Sequence, residues 1–172
     1  IIVTKDRWKQ DIEHVGGSGM CPMIWKFYDP NSSYPSNNTS YTSTKDIFLF
    51  RLADTYLLAA EAYYKAGDSQ KAAERINKVR ERAALPGHAA DMDIKPEQVD
   101  IDFILDERAR EMAGEYNRWM DLKRTGKLIE RTLKYNNLAG KINKMDNHIL
   151  LRPIPQSVID QTTGDFKQNT GY

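Results

Sequence analysis

Apolar residues return every third or fourth position along three stretches of the chain, and each return marks one face of a helix. In DIFLFRLADTYLLAAEAYYKAGD, which starts at Asp46, the spacing predicts order beginning near Lys45. Its apolar face runs through Phe48, Leu52, Leu58, Ala59 and Ala62, and Gly67 closes the helix. Ala59, Ala60, Ala62 and Ala66 are small, so another helix can come close. The next helix starts at Asp68 or Ser69, whose side chain can accept from the free N–H groups of a first turn. Ala72, Ala73, Ile76 and Val79 form its inner stripe, Lys71, Glu74, Arg75, Lys78 and Glu81 face water, and Pro86 and Gly87 end it. A third helix is expected over 97–113, with Pro96 in the first turn and Ile101, Ile104, Leu105, Arg108, Ala109 and Met112 on one face.

Shorter elements follow. Gly114 loosens or breaks the third helix; 117–126 makes another, capped by Asn117 and closed by Gly126; 127–135 makes one more. Beyond residue 136 helical signals thin out. HILLRPIP (148–155) reads as an extended apolar segment broken by two prolines, QSVIDQ as one helical turn, and GDFKQNTGY as an extended polar ending.

The first two helices, joined by Ala-Gly-Asp, make a hairpin over 47–85 close to a tetratricopeptide unit. Tyr56, Ala59, Ala60, Tyr63, Gly67, Asp68, Ala72, Ile76 and Val79 fall at the offsets of its ~34-residue period. Such a unit cannot bury its apolar face alone, and no second copy occurs in the chain, so the hairpin packs on other parts of this chain or on repeats upstream of it. The first part, 1–46, is irregular. HVGGSGMCP (14–22) is loop-like, MIWKFY (23–28) reads as a short strand or extended arm, and DPNSSYPSNNTSYTST (29–44) is a polar run with no core-facing period. The expected organisation is a loop-rich segment, 1–46, that can face a ligand, and a mainly α-helical region, 47–172.

Composition narrows the function. A net charge of +1 over 172 residues gives no clustered basic excess for nucleic acid. No apolar run approaches the ~20 residues of a membrane-spanning helix. The single cysteine, Cys21, cannot form an internal disulfide. The chain starts at Ile1 without a signal segment, which reads as processing or as a piece of a longer protein.

Candidate chemistry is sparse. His14, His88 and His148 are scattered, and Glu107 and Glu111 have no histidine at the spacing a carboxylate-bridged metal pair uses, so no metal site and no cofactor are expected. No nucleophile elbow occurs, and GGSG (16–19) runs into Met-Cys-Pro rather than opening a helix. The densest cluster is DERAREMAGEYNRWMDLKRTGK, Asp106–Lys127. Asp106 and Glu107 lie four and three residues before Arg110, at ion-pair spacing on a helix. Arg108 falls on the apolar stripe beside Leu105 and Met112, where a guanidinium must meet a carboxylate, and Glu111, Glu115 and Asp121 are the nearby candidates. Glu107, Arg108, Glu111, Glu115, Arg118 and Asp121 therefore read as a structural ion-pair network bracing the 100–113 helix to the 117–126 helix, with Trp119 in the corner, rather than as catalytic groups. For ligand binding, the aromatic candidates are Trp8, Trp25, Tyr28, Tyr34 and Tyr41, since aromatic rings on loops can stack on sugars and equally serve as core anchors.

Three motifs then fall in one order. DIFLFRLADTYLLAAEAYYKAGD, ERAREMAGEYNRWMDLKRTGK (107–127) and LLRPIPQSVIDQTTGDFKQNTGY (150–172) resemble three segments of the SusD/RagB family, and WKFYDP is similar to a segment before the first. The chain departs from the family pattern in having Phe48 and Thr170 where the family motif has proline, and Tyr116–Asn117 where the motif has Gly-His. The resemblance covers about residues 23–172.

The resemblance implies a mainly α fold, with tetratricopeptide-like helix pairs as scaffold and long irregular loops carrying the ligand site. It implies a non-enzymatic lipoprotein on the outer face of the outer membrane. Such a protein binds an oligosaccharide or other nutrient and delivers it to a SusC-like TonB-dependent transporter. It also implies that this chain is the C-terminal portion of a longer protein, whose N-terminal lipid anchor is absent here. No family motif carries ligand residues onto this sequence. The rival reading is a helical-repeat scaffold that binds only other proteins.

Overall fold

The computed structural model describes residues 45–115, 117–136 and 145–172, together with Lys26, Asp29, Ser43 and Ala139. The chain divides into two compact units, Ile1–Arg51 and Leu52–Tyr172. In the first, Ser43 Oγ donates to Asp29 Oδ2 at 2.6 Å and Lys45 Nζ to the Lys26 carbonyl at 3.1 Å. Ile47, Leu49 and Phe50 are 84%, 85% and 88% exposed.

The second unit is helical: among its described residues are α1 (Leu52–Lys65), α2 (Ser69–Ala83), α3 (Ile101–Glu111), α4 (Arg118–Arg124), α5 (Leu128–Tyr135) and α6 (Gln156–Gln161). Short 3-10 turns occupy Ala90–Met92, Pro96–Gln98 and Asn147–Leu150.

Helix α1 starts at Leu52, not near Lys45, and it turns a different face inward than the sequence spacing predicts. Ala53, Leu57, Ala60 and Glu61 are its buried residues, whereas Leu52 and Leu58 are 68% and 42% exposed. The cause is that α1 carries apolar side chains around most of its circumference, so periodicity does not single out one face. Gly67, at φ +83°, then ends the helix: Asp68 N–H donates to the Tyr63 carbonyl and Gly67 N–H to that of Tyr64, a six-residue closure that needs a left-handed residue. Asp68 caps α2 by accepting from Lys71 N–H at 3.0 Å.

On α2 the expected stripe is the observed one: Ala72, Ala73, Ile76 and Val79 are all buried. They meet Ala53, Leu57 and Ala60 of α1, Ile104 of α3, and Ile94 and Val99 of the connecting segment in the larger core. Asn77 holds that segment in place, its carboxamide accepting from Ile94 N–H at 2.9 Å and donating to the Ile94 carbonyl at 3.1 Å.

The third helix is shorter than the expected 97–113. Pro96 opens the separate turn Pro96–Gln98, and α3 begins at Ile101 because Asp100 caps it, accepting from Phe103 N–H at 2.6 Å. Ile104, Leu105, Arg108 and Met112 are buried as the spacing requires, and Ile101 and Ala109 are half-buried. Helix α4 has Asn117 at its N-cap position, but the Asn117 side chain makes no capping bond, since its backbone is already helical (φ −77°, ψ −15°). Leu105, Leu122 and Leu128 of α3, α4 and α5 make a smaller second core.

The C-terminal segment returns to that core. Ile149 and Leu150 pack against it from a 3-10 turn, where an extended segment is expected from sequence; Asp146 fixes the turn by accepting from His148 N–H at 2.9 Å. Arg152 lies 4.6 Å from the Trp119 ring centroid and Lys123 5.0 Å, so the indole is flanked by two cations.

Candidate functional site

Two polar features dominate the helical unit: a chain of ion pairs joining α1, α3 and α4, and a cavity between α3, α4 and α5. The chain begins on α1, where Asp54 and Glu61 are seven residues apart and so share a face. Arg108, 3% exposed, places Nη2 2.7 Å from Asp54 Oδ1, a charge contact outside hydrogen-bond alignment. Its Nε donates to Asp121 Oδ2 at 2.7 Å. Arg124 Nη2 donates to the other Asp121 oxygen at 3.0 Å, and its Nη1 to Glu61 Oε1. Glu61 also accepts from Lys65 Nζ at 2.7 Å. Charges therefore alternate from Asp54 through Arg108, Asp121, Arg124 and Glu61 to Lys65.

A second arm joins α2 to α3. Glu107 Oε2 accepts from Arg80 Nη1 and Arg110 Nη2, both at 2.7 Å, and Arg82 Nη2 donates to both Glu111 oxygens at 2.7 and 2.8 Å. Arg80 also donates through Nε to the Met92 carbonyl at 2.6 Å.

Of the six residues expected to form one network, Arg108 and Asp121 are in direct contact across α3 and α4. Glu107 meets Arg80 of α2 and Arg110 of its own helix, and Glu111 meets Arg82 of α2. Glu115 lies just after α3, where its N–H donates to the Met112 carbonyl at 3.0 Å. Arg118 Nη1 donates to the Leu105 carbonyl at 2.6 Å. The second acid beside Arg108 is Asp54, not Glu111 or Glu115. Sequence spacing had no access to it, because the pairing depends on how α1 packs on α3.

This arrangement suits bracing. Burial alone would raise the Glu61 pKa, but hydrogen bonds and charge from Arg124 and Lys65 outweigh it and hold the carboxylate below its ordinary value. Acid–base catalysis needs two carboxyl groups whose environments push their affinities for protons apart. Here the acids of the chain alternate with cations. Among the described residues no group of three or more His, Cys, Asp or Glu side chains is placed to hold a metal ion.

The cavity measures about 350 Å³ and is lined by Asp106, Ala109, Arg118, Leu122, Arg131, Thr132, Tyr135 and Asn136. Arg131, 4% exposed at the side chain, pairs with Asp102 at 2.7 Å and with Asp106. Burial, then the neighbouring Arg131, pull the Arg118 guanidinium below its usual pKa. Trp8, Trp25, Tyr28, Tyr34 and Tyr41, the aromatic candidates for a ligand platform, lie outside the described residues.

Comparison with known proteins places the chain in a family. Residues 6–172 match the SusD family, and the chain belongs to it. It is 34% identical to SusD-like protein P38 of Formosa agariphila over 76% of this chain and 24% of that protein. It is 32% identical to SusD-like protein P2 of the same organism over 88% of this chain and 30% of that protein. It is 31% identical to the starch-binding protein SusD of Bacteroides thetaiotaomicron over 90% of this chain and 26% of that protein. The chain thus spans between 23% and 30% of the length of the curated relatives it matches. No solved structure matches it.

Proposed function

We propose that this chain is part of a cell-surface protein that binds an oligosaccharide without transforming it and delivers it to a SusC-like TonB-dependent transporter of the outer membrane. The observation that carries this reading is family membership across residues 6–172, joined to likeness to a protein named for starch binding. The ion-pair chain fits a scaffold: it ties α1, α3 and α4 together and leaves ligand contact to other parts of the protein. Among the described residues no helix is long and apolar enough to cross a membrane.

The test is calorimetric titration of the complete protein with a panel of oligosaccharides, together with co-purification of the transporter. Saturable binding of at least one glycan, with no change in the glycan on prolonged incubation, is the expected result. Failure to bind any glycan, or its cleavage, would refute the reading. A protein-scaffold role is the second reading, favoured by one observation: Leu52 and Leu58 leave apolar surface exposed on α1. It predicts a protein partner and no heat from any sugar.

A further inference from the structure

The cavity between α3, α4 and α5 has the size and lining of a small-molecule site, and the ion-pair chain does not use it. Its 350 Å³ lies within the range of ~300–1,000 Å³ that ligand pockets occupy. Its charged lining is Arg118, Arg131 and Asp106, one more cation than anion. Asp102 and Asp106 neutralise Arg131. Arg118 is different: its hydrogen bond goes to a backbone carbonyl, and no carboxylate of the described residues is in ion-pair contact with it. The Arg131 Nε is buried without an acceptor. A half-buried guanidinium beside a second one is costly unless an anion meets it.

The remaining walls add hydroxyl chemistry. Thr132 and Tyr135 supply O–H groups, and the half-exposed Asp106 carboxylate can accept from a ligand hydroxyl. Ala109 forms a small apolar wall.

We propose that this cavity is a binding site for a hydroxylated carboxylate of monosaccharide size, such as a uronic acid, with its carboxylate on Arg118 and its hydroxyls toward Asp106, Thr132 and Tyr135. A planar carboxylate matches the guanidinium fork, and the charge-assisted pair forms in a partly desolvated setting. The site is separate from the oligosaccharide capture proposed above, and either can fail without the other.

The experiment is titration calorimetry of the complete protein at low salt with glucuronate, glucose and acetate as probes, the cavity variants separating this site from any other. Saturable binding of glucuronate is expected, with glucose and acetate each at least tenfold weaker. Raising the salt concentration weakens glucuronate binding. Arg118→Gln lowers its affinity at least tenfold. Ala109→Leu, which fills the cavity without touching a charge, does the same, and Thr132→Val lowers it several-fold; these two carry the test if Arg118→Gln does not fold. Absence of saturable glucuronate binding, equal binding of glucose or acetate, or wild-type affinity in folded Ala109→Leu would overturn the proposal.

Discussion

Gln168 takes the place of a neighbouring strand for Ile154. Its carboxamide accepts from the Ile154 N–H and donates to the Ile154 carbonyl, both at 2.8 Å. Asn169 adds a donor to the Arg152 carbonyl at 2.8 Å. The two residues belong to the KQN run near the chain end and grip the RPIP run, whose two prolines cannot donate to a ladder. The Asn77 carboxamide grips Ile94 in the same manner. Replacing Gln168 by Ala leaves one donor and one acceptor of a half-buried peptide to water. The expected cost is about 1 kcal/mol. Hydrogen exchange should locate the loss, with faster exchange over residues 150–169 and little change in α1 and α2. Uniform acceleration would mean that the clamp supports the whole unit.

Arg108 and Asp121 make the brace that matters most. Both are buried, and Asp121→Ala leaves the Arg108 guanidinium with Asp54 as its remaining acid, so the loss should be about 3 kcal/mol, the lower end of what removing half of a buried pair costs. The Arg82–Glu111 pair is a contrast. Arg82 is 61% exposed, and Arg82→Ala should cost less than about 1 kcal/mol. Urea unfolding of the two variants compares them directly. Equal losses would show that burial does not set the value of these pairs.

Sequence made the α2 stripe legible because that helix is apolar on one side only, and Ala72, Ala73, Ile76 and Val79 are all buried. It misread α1, where Leu52, Leu58 and the alanines give no single apolar face. It placed Arg108 in the core from its phase between Leu105 and Met112, and included Asp121 among its partners. It could not find Asp54, or the Glu61–Arg124 contact across 63 residues, because those depend on packing between distant helices. Nor did spacing reveal the Arg118 cavity, which exists only where α3, α4 and α5 converge.

Gly171 and Gly67 separate two reasons for needing glycine. Both have positive φ, +102° and +83°. A Cβ on Gly67 meets nothing within 4 Å, so Gly67→Ala should cost only the left-handed backbone penalty, about 1–2 kcal/mol. A Cβ on Gly171 would stand 2.6 Å from the His148 Cβ, so Gly171→Ala adds a steric conflict that the turn at Asn147–Leu150 must absorb. The tail is expected to detach, which removes the edge-on contact between Tyr172 and His148. Tyr172 fluorescence or its ring NMR signals report this. An unshifted Tyr172 signal in Gly171→Ala would show that the tail accommodates the methyl group.

Acid should weaken the helical unit through Glu61. Burial opposes its charge, but Arg124 and Lys65 prevail, so the folded pKa lies below the ordinary 4.5. A carboxylate with a depressed folded pKa contributes stability that is fully present above its unfolded value and is lost as pH falls through the folded one. Asp102 acts in the same direction: burial opposes it, Arg131 and Lys127 prevail, and its pKa lies below 3.8. Stability should therefore hold near neutrality, begin to drop below about pH 4.5, and keep dropping as Asp102 follows. Glu61→Gln removes one of these titrations. Its urea midpoint is expected to be lower than the wild-type midpoint at pH 7, because Arg124 loses a charged partner, and the two curves should converge in acid. Parallel curves from pH 7 down to pH 3 would mean that Glu61 contributes through packing and hydrogen bonding rather than through its charge.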